Sequence, residues 1–316
     1  MSLRVSNLSV EVEGIKLIED ISFECRRGER VALVGESGSG KSLAALSVLK
    51  LLPQNFRVSG TVNSGKRDVL KLKGEELRNF RWKEVSIVFQ DPSSSLNPLM
   101  TVGEQVEEAL VYHGFRGSKE ELKNRVLELF RLVKIPMAEE RINAYPHHLS
   151  GGLKQRVAIA MALACNPKFL IADEPTTALD VTVQREILSL LGELSKKEKI
   201  GTVLITHDMG VVEEFSERVF VVYSGFTVEE GRTKDVFKNP LHPYTDGLIK
   251  CSPSIESVKV KGELQTIPGN VPEPRNRPSG CPFHPRCKFK RKVCIERVPP
   301  LKTFKDRKVR CFFPLT

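Results

Sequence analysis

The run Gly35, Glu36, Ser37, Gly38, Ser39, Gly40, Lys41 and Ser42 has the residue types and spacing to hold phosphate. Its glycines leave the backbone bare, so N–H groups can curl around an anion without side-chain clashes. Lys41 is placed to reach the β and γ phosphates of a nucleotide, and Ser42 to ligate Mg²⁺. Such a loop works only between a strand and a helix. Arg30–Val34 is short, apolar and β-branched, as a buried strand is, and residues 43–50 are rich in helix formers. The helix start adds a positive dipole end beneath the phosphates.

A second source of chemistry is the pair Asp173 and Glu174, which follows the apolar run Phe169–Ala172. A buried strand ending in carboxylates sets them at the C-terminal edge of a sheet. Asp173 is then a Mg²⁺ ligand, directly or through water, and Glu174 a general base for an attacking water. Ser150, Gly151 and Gly152 precede an apolar helix expected over Val157–Ala164, and small residues with open N–H groups again suit an anion.

The elements that must position these groups are legible from periodicity. Residues 1–30 alternate apolar and polar, with Leu8, Val10, Val12, Ile15, Leu17, Ile21 and Phe23, and predict short antiparallel strands with a turn at Arg27–Glu29. Further strands are expected at residues 85–89, 169–172, 202–206 and 219–223. Leu122, Val126, Leu129, Phe130 and Val133 form one helical face, and Val183, Ile187, Leu190, Leu191 and Leu194 another. Strands alternating with helices imply a mostly parallel sheet covered on both faces.

Charge and composition divide the chain. The net charge is +10 over 316 residues, and residues 251–316 carry 15 Lys+Arg against 5 Asp+Glu. The remaining 34 basic and 34 acidic residues cancel, and ten of the 19 prolines also fall in the tail. The expected boundary is therefore near residue 250. There is no apolar run of the ~18–20 residues needed to span a bilayer, and no apolar core of a signal peptide at the start. A cytosolic setting is expected, so the seven cysteines are not read first as disulfides. The basic tail reads as a solvated surface or as a contact for anionic lipid or partner chains. Without interleaved aromatics it offers no stacking platform, and no nucleic acid is expected.

Leu149-Ser-Gly-Gly-Leu-Lys-Gln-Arg156 resembles the signature of the ATP-binding-cassette ATPases, with Leu153 where Gln is usual. The resemblance implies an α/β fold: a P-loop NTPase (RecA-like) core with a mostly parallel sheet, an N-terminal antiparallel β subdomain, an inserted α-helical subdomain at about 91–154, and a small irregular Cys-rich C-terminal extension. Residues 1–250 would form the nucleotide-binding domain and 251–316 the extension. It further implies that Gln90 is the Q-loop contact to Mg²⁺ and water, and that Ala178-Leu-Asp180 is the D-loop. His207 would be the switch residue touching the γ-phosphate. Ser150, Gly151 and Gly152 would close on ATP held by a facing cassette. The family's adenine-stacking aromatic has no counterpart in Val10–Ile15, where Val12 is the nearest equivalent.

Three segments resemble the dipeptide/oligopeptide importer class: Asp91–Glu104, His242–Leu248, and Ile267–Pro272 with Gly280–Cys287. They imply an ATPase subunit at the cytoplasmic face of the membrane. Its partners would be a second cassette, identical or homologous, two permease subunits and, indirectly, a solute-binding protein. Peptides are the implied cargo, with oligosaccharides or nickel as related solutes. The alternative is a soluble cassette acting on ribosomes or DNA, which would need tandem cassettes or a long coiled-coil insertion. A regulatory subunit that barely hydrolyses ATP is opposed by Glu174 and His207.

Cys281, Cys287, Cys294 and Cys311 are spaced C-x5-C-x6-C-x16-C, looser than structural zinc pairs. Four thiolates so spaced can hold a 4Fe–4S cluster, as some members of the importer class do; zinc or free or disulfide-linked thiols are the alternatives. Arg286, Lys288, Lys290, Arg291, Lys292 and Arg310 would offset the charge of a thiolate-ligated cluster. Cys25, Cys165 and Cys251 read as packing residues.

Overall fold

The computed structural model describes residues 1–177, 179–251 and 266–316. Its strands are β1 (Ser2–Val12), β2 (Ile15–Arg26), β3 (Arg30–Val34), β4 (Phe56–Ser64), β5 (Arg67–Asp68), β6 (Val85–Val88), β7 (Phe169–Asp173), β8 (Gly201–Thr206), β9 (Arg218–Tyr223), β10 (Phe226–Arg232), β11 (Lys302–Phe304) and β12 (Arg307–Val309). The chain forms two compact units. One contains Met1–Arg26, Arg30–Lys71 and Val203–Thr316, the other Arg27–Glu29 and Leu72–Thr202.

In the first unit the strand order is β5-β4-β1-β2-β10-β9-β3-β8, with β12 on β10 and β11 on β12. The alternating N-terminal residues form two long strands rather than several short ones. They meet at a hairpin whose Glu13 and Gly14 both have positive φ, 51° and 78°, the twist that suits a two-residue hairpin turn. Bulges between Val5 and Val10 shift the register, and the one between Val5 and Leu8 lets these two residues, three apart, both stay buried. β3 pairs in parallel with β9. Both are continuous apolar runs, as strands covered on both faces are.

The tail belongs to this unit. Cys281, Phe283 and Cys294 share a core with Ala32, Val34, Tyr223 and Tyr244. β12 extends the edge of β10, with Glu229 opposite Val309. Four arginines fasten the remainder, each with a side chain at most 12% exposed: Arg277 to Glu19, Arg286 to Glu36, Arg307 to Glu229 and Arg310 to Asp20. The tail's positive charge is thus partly spent inward. The expectation that Arg286 and Arg310 serve the cysteines is corrected, because both guanidiniums are committed to carboxylates 250 and 290 residues away in sequence. Arg291 instead lies over the Phe313 ring at 4.0 Å, and Lys292 pairs with Glu296.

In the second unit β6 and β7 pair in parallel. The segment after β6 is helical as expected, with helices at Pro92–Ser95, Val102–Tyr112, Lys119–Leu132, Ala138–Arg141 and Gly151–Leu163. Thr101 and Ser118 each start a helix with a reciprocal capping box, using Glu104 and Glu121. Val126, Leu129 and Phe130 are buried along one face, and Ile187, Leu190, Leu191 and Leu194 along the face of Val181–Lys197. The helix expected from Val157 begins at Gly151, because the Ser150 side chain caps it. Among the described residues no helix is long and apolar enough to cross a membrane.

Glu229 is fully buried and accepts from the Leu241 and His242 amides as well as Arg307. Removing one partner of a buried ion pair leaves an uncompensated charge. Arg307→Ala is expected to lower unfolding free energy by about 3 kcal/mol, read as a shift in the urea midpoint at unchanged slope.

Candidate nucleotide site

β3 ends at Val34 and the glycine loop follows. A Cβ on Gly35 would stand 2.1 Å from the Val222 carbonyl oxygen, so only glycine fits there. Gly38 and Gly40 have φ of 76° and 104°, in the left-handed region that side chains resist. Gly40 occupies the cap position of helix Lys41–Val48 and brings no capping side chain, as suits a helix start that receives an anion. Lys41 is only 4% exposed. Its ammonium donates to the Gly35 carbonyl at 2.7 Å, the Glu36 carbonyl at 3.0 Å and Ser39 Oγ at 3.4 Å.

Glu36 plays a part the sequence did not disclose. Its carboxylate takes a bidentate grip from Arg286, and its amide donates to the Tyr244 hydroxyl at 2.9 Å. Tyr244 is fully buried, within the His242–Leu248 segment. Neither contact has a local signal, since each partner lies more than 200 residues away. Ser37 lies in the loop, and Ser42 in the first turn of the helix Lys41–Val48. In the same unit His207 is exposed directly after β8, and Asp208 caps the next helix by accepting from the Gly210 and Val211 amides.

The second unit carries the acids. Asp173 ends β7 and is 7% exposed. Glu174 has φ of 45°, a conformation costing a non-glycine residue about 1–3 kcal/mol and concentrated at functional sites. Its Oε2 accepts from Gln90 Nε2 at 3.2 Å and Thr177 Oγ1 at 3.0 Å. The structure therefore joins two of the expected residues, Gln90 and Glu174, and adds Thr177, which sequence reasoning passed over. Ser150 and Gly151 are exposed, while Gly152 is buried. A Cβ on Gly152 would meet Val183 Cγ1 at 2.5 Å. Asp180 caps the helix Val181–Lys197 by accepting from the Thr182 and Val183 amides. Its carboxylate thus has a structural duty in the segment expected to be the D-loop, whose Ala178 lies outside the described residues.

Two family matches cover most of these features: ABC transporter over residues 18–177, and oligopeptide/dipeptide transporter, C-terminal region, over residues 228–294. The chain is 47% identical over 301 residues to the dipeptide transport ATP-binding protein DppD of Haemophilus influenzae, covering 95% of this chain and 90% of that one. The chain belongs to the ABC transporter family. As an ATP-binding cassette of that family it is an ATPase. It is also 46% identical to the oligopeptide transport ATP-binding protein OppD of Salmonella typhimurium, covering 95% and 89% of the two chains. With AppD of Bacillus subtilis the identity is 45%, covering 98% and 96%. Among solved structures, a dimeric ATP-binding cassette in a post-hydrolysis state bound to ADP and Pi matches with a TM-score of 0.64 at 32% identity, over 74% of this chain and 99% of that one. The cbiO1 protein of Clostridium perfringens, part of the ABC transporter complex cbiONQ, matches with a TM-score of 0.66 at 31% identity, over 75% and 90%.

The four tail cysteines of this cassette protein line one small cavity of about 20 Å³, with Phe283, Phe312 and Phe313 on its walls. Burial, with the neighbouring thiols adding to it, pushes Cys281 up to about 12 and Cys311 up to about 11; burial also raises Cys287, which feels the Lys290 charge in the opposite sense. Among the described residues no group of three or more His, Cys, Asp or Glu side chains is arranged to hold a metal ion. The expected ligand set is therefore gathered but not closed. With burial opposing ionisation at Cys281, Cys287 and Cys311, a metal would have to displace protons to make these thiols donors.

Gly35→Ala forces the loop away from Val222. It should weaken ATP binding by more than about tenfold, a loss of ~1.4 kcal/mol or more, in a calorimetric titration.

Proposed function

We propose that the chain is the ATP-hydrolysing subunit of an importer of dipeptides, oligopeptides or a related solute such as an oligosaccharide or nickel. The observation that carries this reading is near full-length similarity to relatives named for dipeptide and oligopeptide transport. The matched C-terminal region of that class, residues 228–294, supports it independently of the nucleotide motifs. A soluble cassette acting on ribosomes or DNA has no such support.

In this reading the loop N–H groups and Lys41 bind the triphosphate of ATP. Ser42, Gln90 and Asp173 are the proposed ligands of Mg²⁺, which would neutralise phosphate charge. Glu174 orients and deprotonates the attacking water, with Gln90 and Thr177 fixing its carboxylate, and His207 contacts the γ-phosphate. Ser150, Gly151 and Gly152 serve ATP held by a second cassette, identical or homologous, and Asp180 belongs to the same contact. Two permease subunits receive the motion through residues 90–104, where Leu99 stands 85% exposed, and a solute-binding protein delivers cargo on the far side. The protein then works at the cytoplasmic face of the membrane, peripherally. Val12, partly buried at the end of β1, gives the adenine an aliphatic contact in place of an aromatic one.

Cys281, Cys287, Cys294 and Cys311 are proposed to hold a 4Fe–4S cluster, with zinc as the second choice. All four thiols line one cavity, among aromatic walls and beside His242 and His284, a lining that suits thiolate ligation and exclusion of water. The cluster would supply a covalent cross-link of the tail.

Glu174→Gln is expected to keep ATP affinity and lower turnover by at least about a hundredfold. The variant should also accumulate as a closed dimer with ATP in size-exclusion chromatography. Turnover equal to the parent's would refute the general-base role. Anaerobically purified protein should be brown, with broad absorbance near about 400 nm that is lost in Cys287→Ser; colourless protein with stoichiometric zinc would replace iron by zinc.

A further inference from the structure

Arg286 closes the short turn His284–Arg286, directly before Cys287, and its side chain is 5% exposed. Nη1 donates to Glu36 Oε2 at 2.7 Å and Nη2 to Glu36 Oε1 at 3.0 Å. The same guanidinium donates to the Pro268 carbonyl at 2.9 Å and the Ile267 carbonyl at 3.2 Å. It is therefore fixed by the tail and grips the glycine loop with a fork. A planar guanidinium suits this geometry and an ammonium cannot reproduce it.

Glu36 is held at three points. Arg286 takes the carboxylate, and the Tyr244 hydroxyl takes the amide. The Glu36 carbonyl accepts from Lys41 Nζ at 3.0 Å and from the Ser39 amide at 3.2 Å. The adjoining Gly35 carbonyl is the other close acceptor of the Lys41 ammonium, at 2.7 Å. The residue that seats the phosphate-binding ammonium is thus clamped by two groups from beyond residue 240. A loop with this many glycines loses much backbone freedom when ordered. Ordering it in advance removes that loss from the binding step.

We propose that Arg286 is a positioning residue for ATP binding. Through its grip on Glu36 it fixes the carbonyls that seat Lys41, so the affinity of the loop for the triphosphate depends on the folded Cys-rich segment. This rests on the reading that the loop binds ATP. The other three tail arginines described above end on Glu19, Asp20 and Glu229, outside the loop, and so provide internal controls.

The test compares the full-length protein with Arg286→Ala, Arg286→Lys and Arg307→Ala, using titration with a fluorescent ATP analogue and steady-state turnover. Arg286→Ala should raise the dissociation constant and KM by about ten- to a hundredfold, the range set by losing charge-assisted hydrogen bonds, while kcat at saturating ATP is largely kept. Arg286→Lys should fall between, because it restores charge without the fork. Arg307→Ala should lose stability yet bind ATP as the parent does. Unchanged affinity in folded Arg286→Ala overturns the proposal, and so does an equal affinity loss in Arg307→Ala, which would make the staples merely structural. Should Arg286→Ala not fold, Glu36→Gln reads the same bond from the other end. Combined with Arg286→Lys it should weaken binding less than the sum of the two separate losses, and full additivity would overturn the coupling. A parent protein that does not bind ATP overturns both this proposal and the functional reading; a parent that binds beside an unaffected Arg286→Ala overturns this proposal alone.

Discussion

The seat of the Lys41 ammonium is the constraint on which the first unit turns. A cation only 4% exposed must be satisfied where it sits, and for the proposed function it must stay able to meet a phosphate. Main-chain carbonyls meet both needs, because they hold positive charge without cancelling it. Carbonyls point where the backbone points, however, so the position of the ammonium is only as well defined as the loop. That is why the loop has glycine where a Cβ would strike Val222. It is also why the chain fastens Glu36 by amide and carboxylate together.

The carboxylate half solves a different problem. In the proposed function Glu174 presents an oxygen to water at the end of a strand. Its left-handed backbone turns it out of the β7 direction immediately after Asp173. Such a conformation persists only when surrounding contacts overdetermine it. The two bonds to Glu174 Oε2, from Gln90 and Thr177, come from both sides in sequence. Strain and orientation are supplied together: the turn selects where the side chain starts, and the amide and hydroxyl select where it ends.

What was readable from the sequence was what is encoded locally. The glycine loop, its flanking strand and helix, the acidic strand end and the helical faces of residues 119–132 and 181–197 each declare themselves within about twenty residues, through spacing and periodicity. The start of the helix at Gly151 was missed because an apolar run marks a buried face and not a first turn; the Ser150 cap was the signal that sets the boundary. Asp180 and Asp208 were read for chemistry or passed over, and both turned out to cap helices. The tail was least readable. Its positive charge suggested solvent, lipid or a cluster, whereas the pairing of Arg286 with Glu36 and Arg310 with Asp20 spans most of the chain. Composition reports how much charge a segment holds and is silent on where each fork points.

The arginine staples also bear on how such a protein can change over generations. Glu19, Asp20, Glu36 and Glu229 are half of a matched set whose other half lies beyond residue 270. Drift at either side alone strands a charge, and Glu229, wholly enclosed, has no water to fall back on. A change in the terminal segment at these arginines therefore calls for a matching change in the sheet or the loop. A graft from a cousin would take only if its cations met the same four acids, and trimming the chain to a minimal motor would remove part of the motor's own frame.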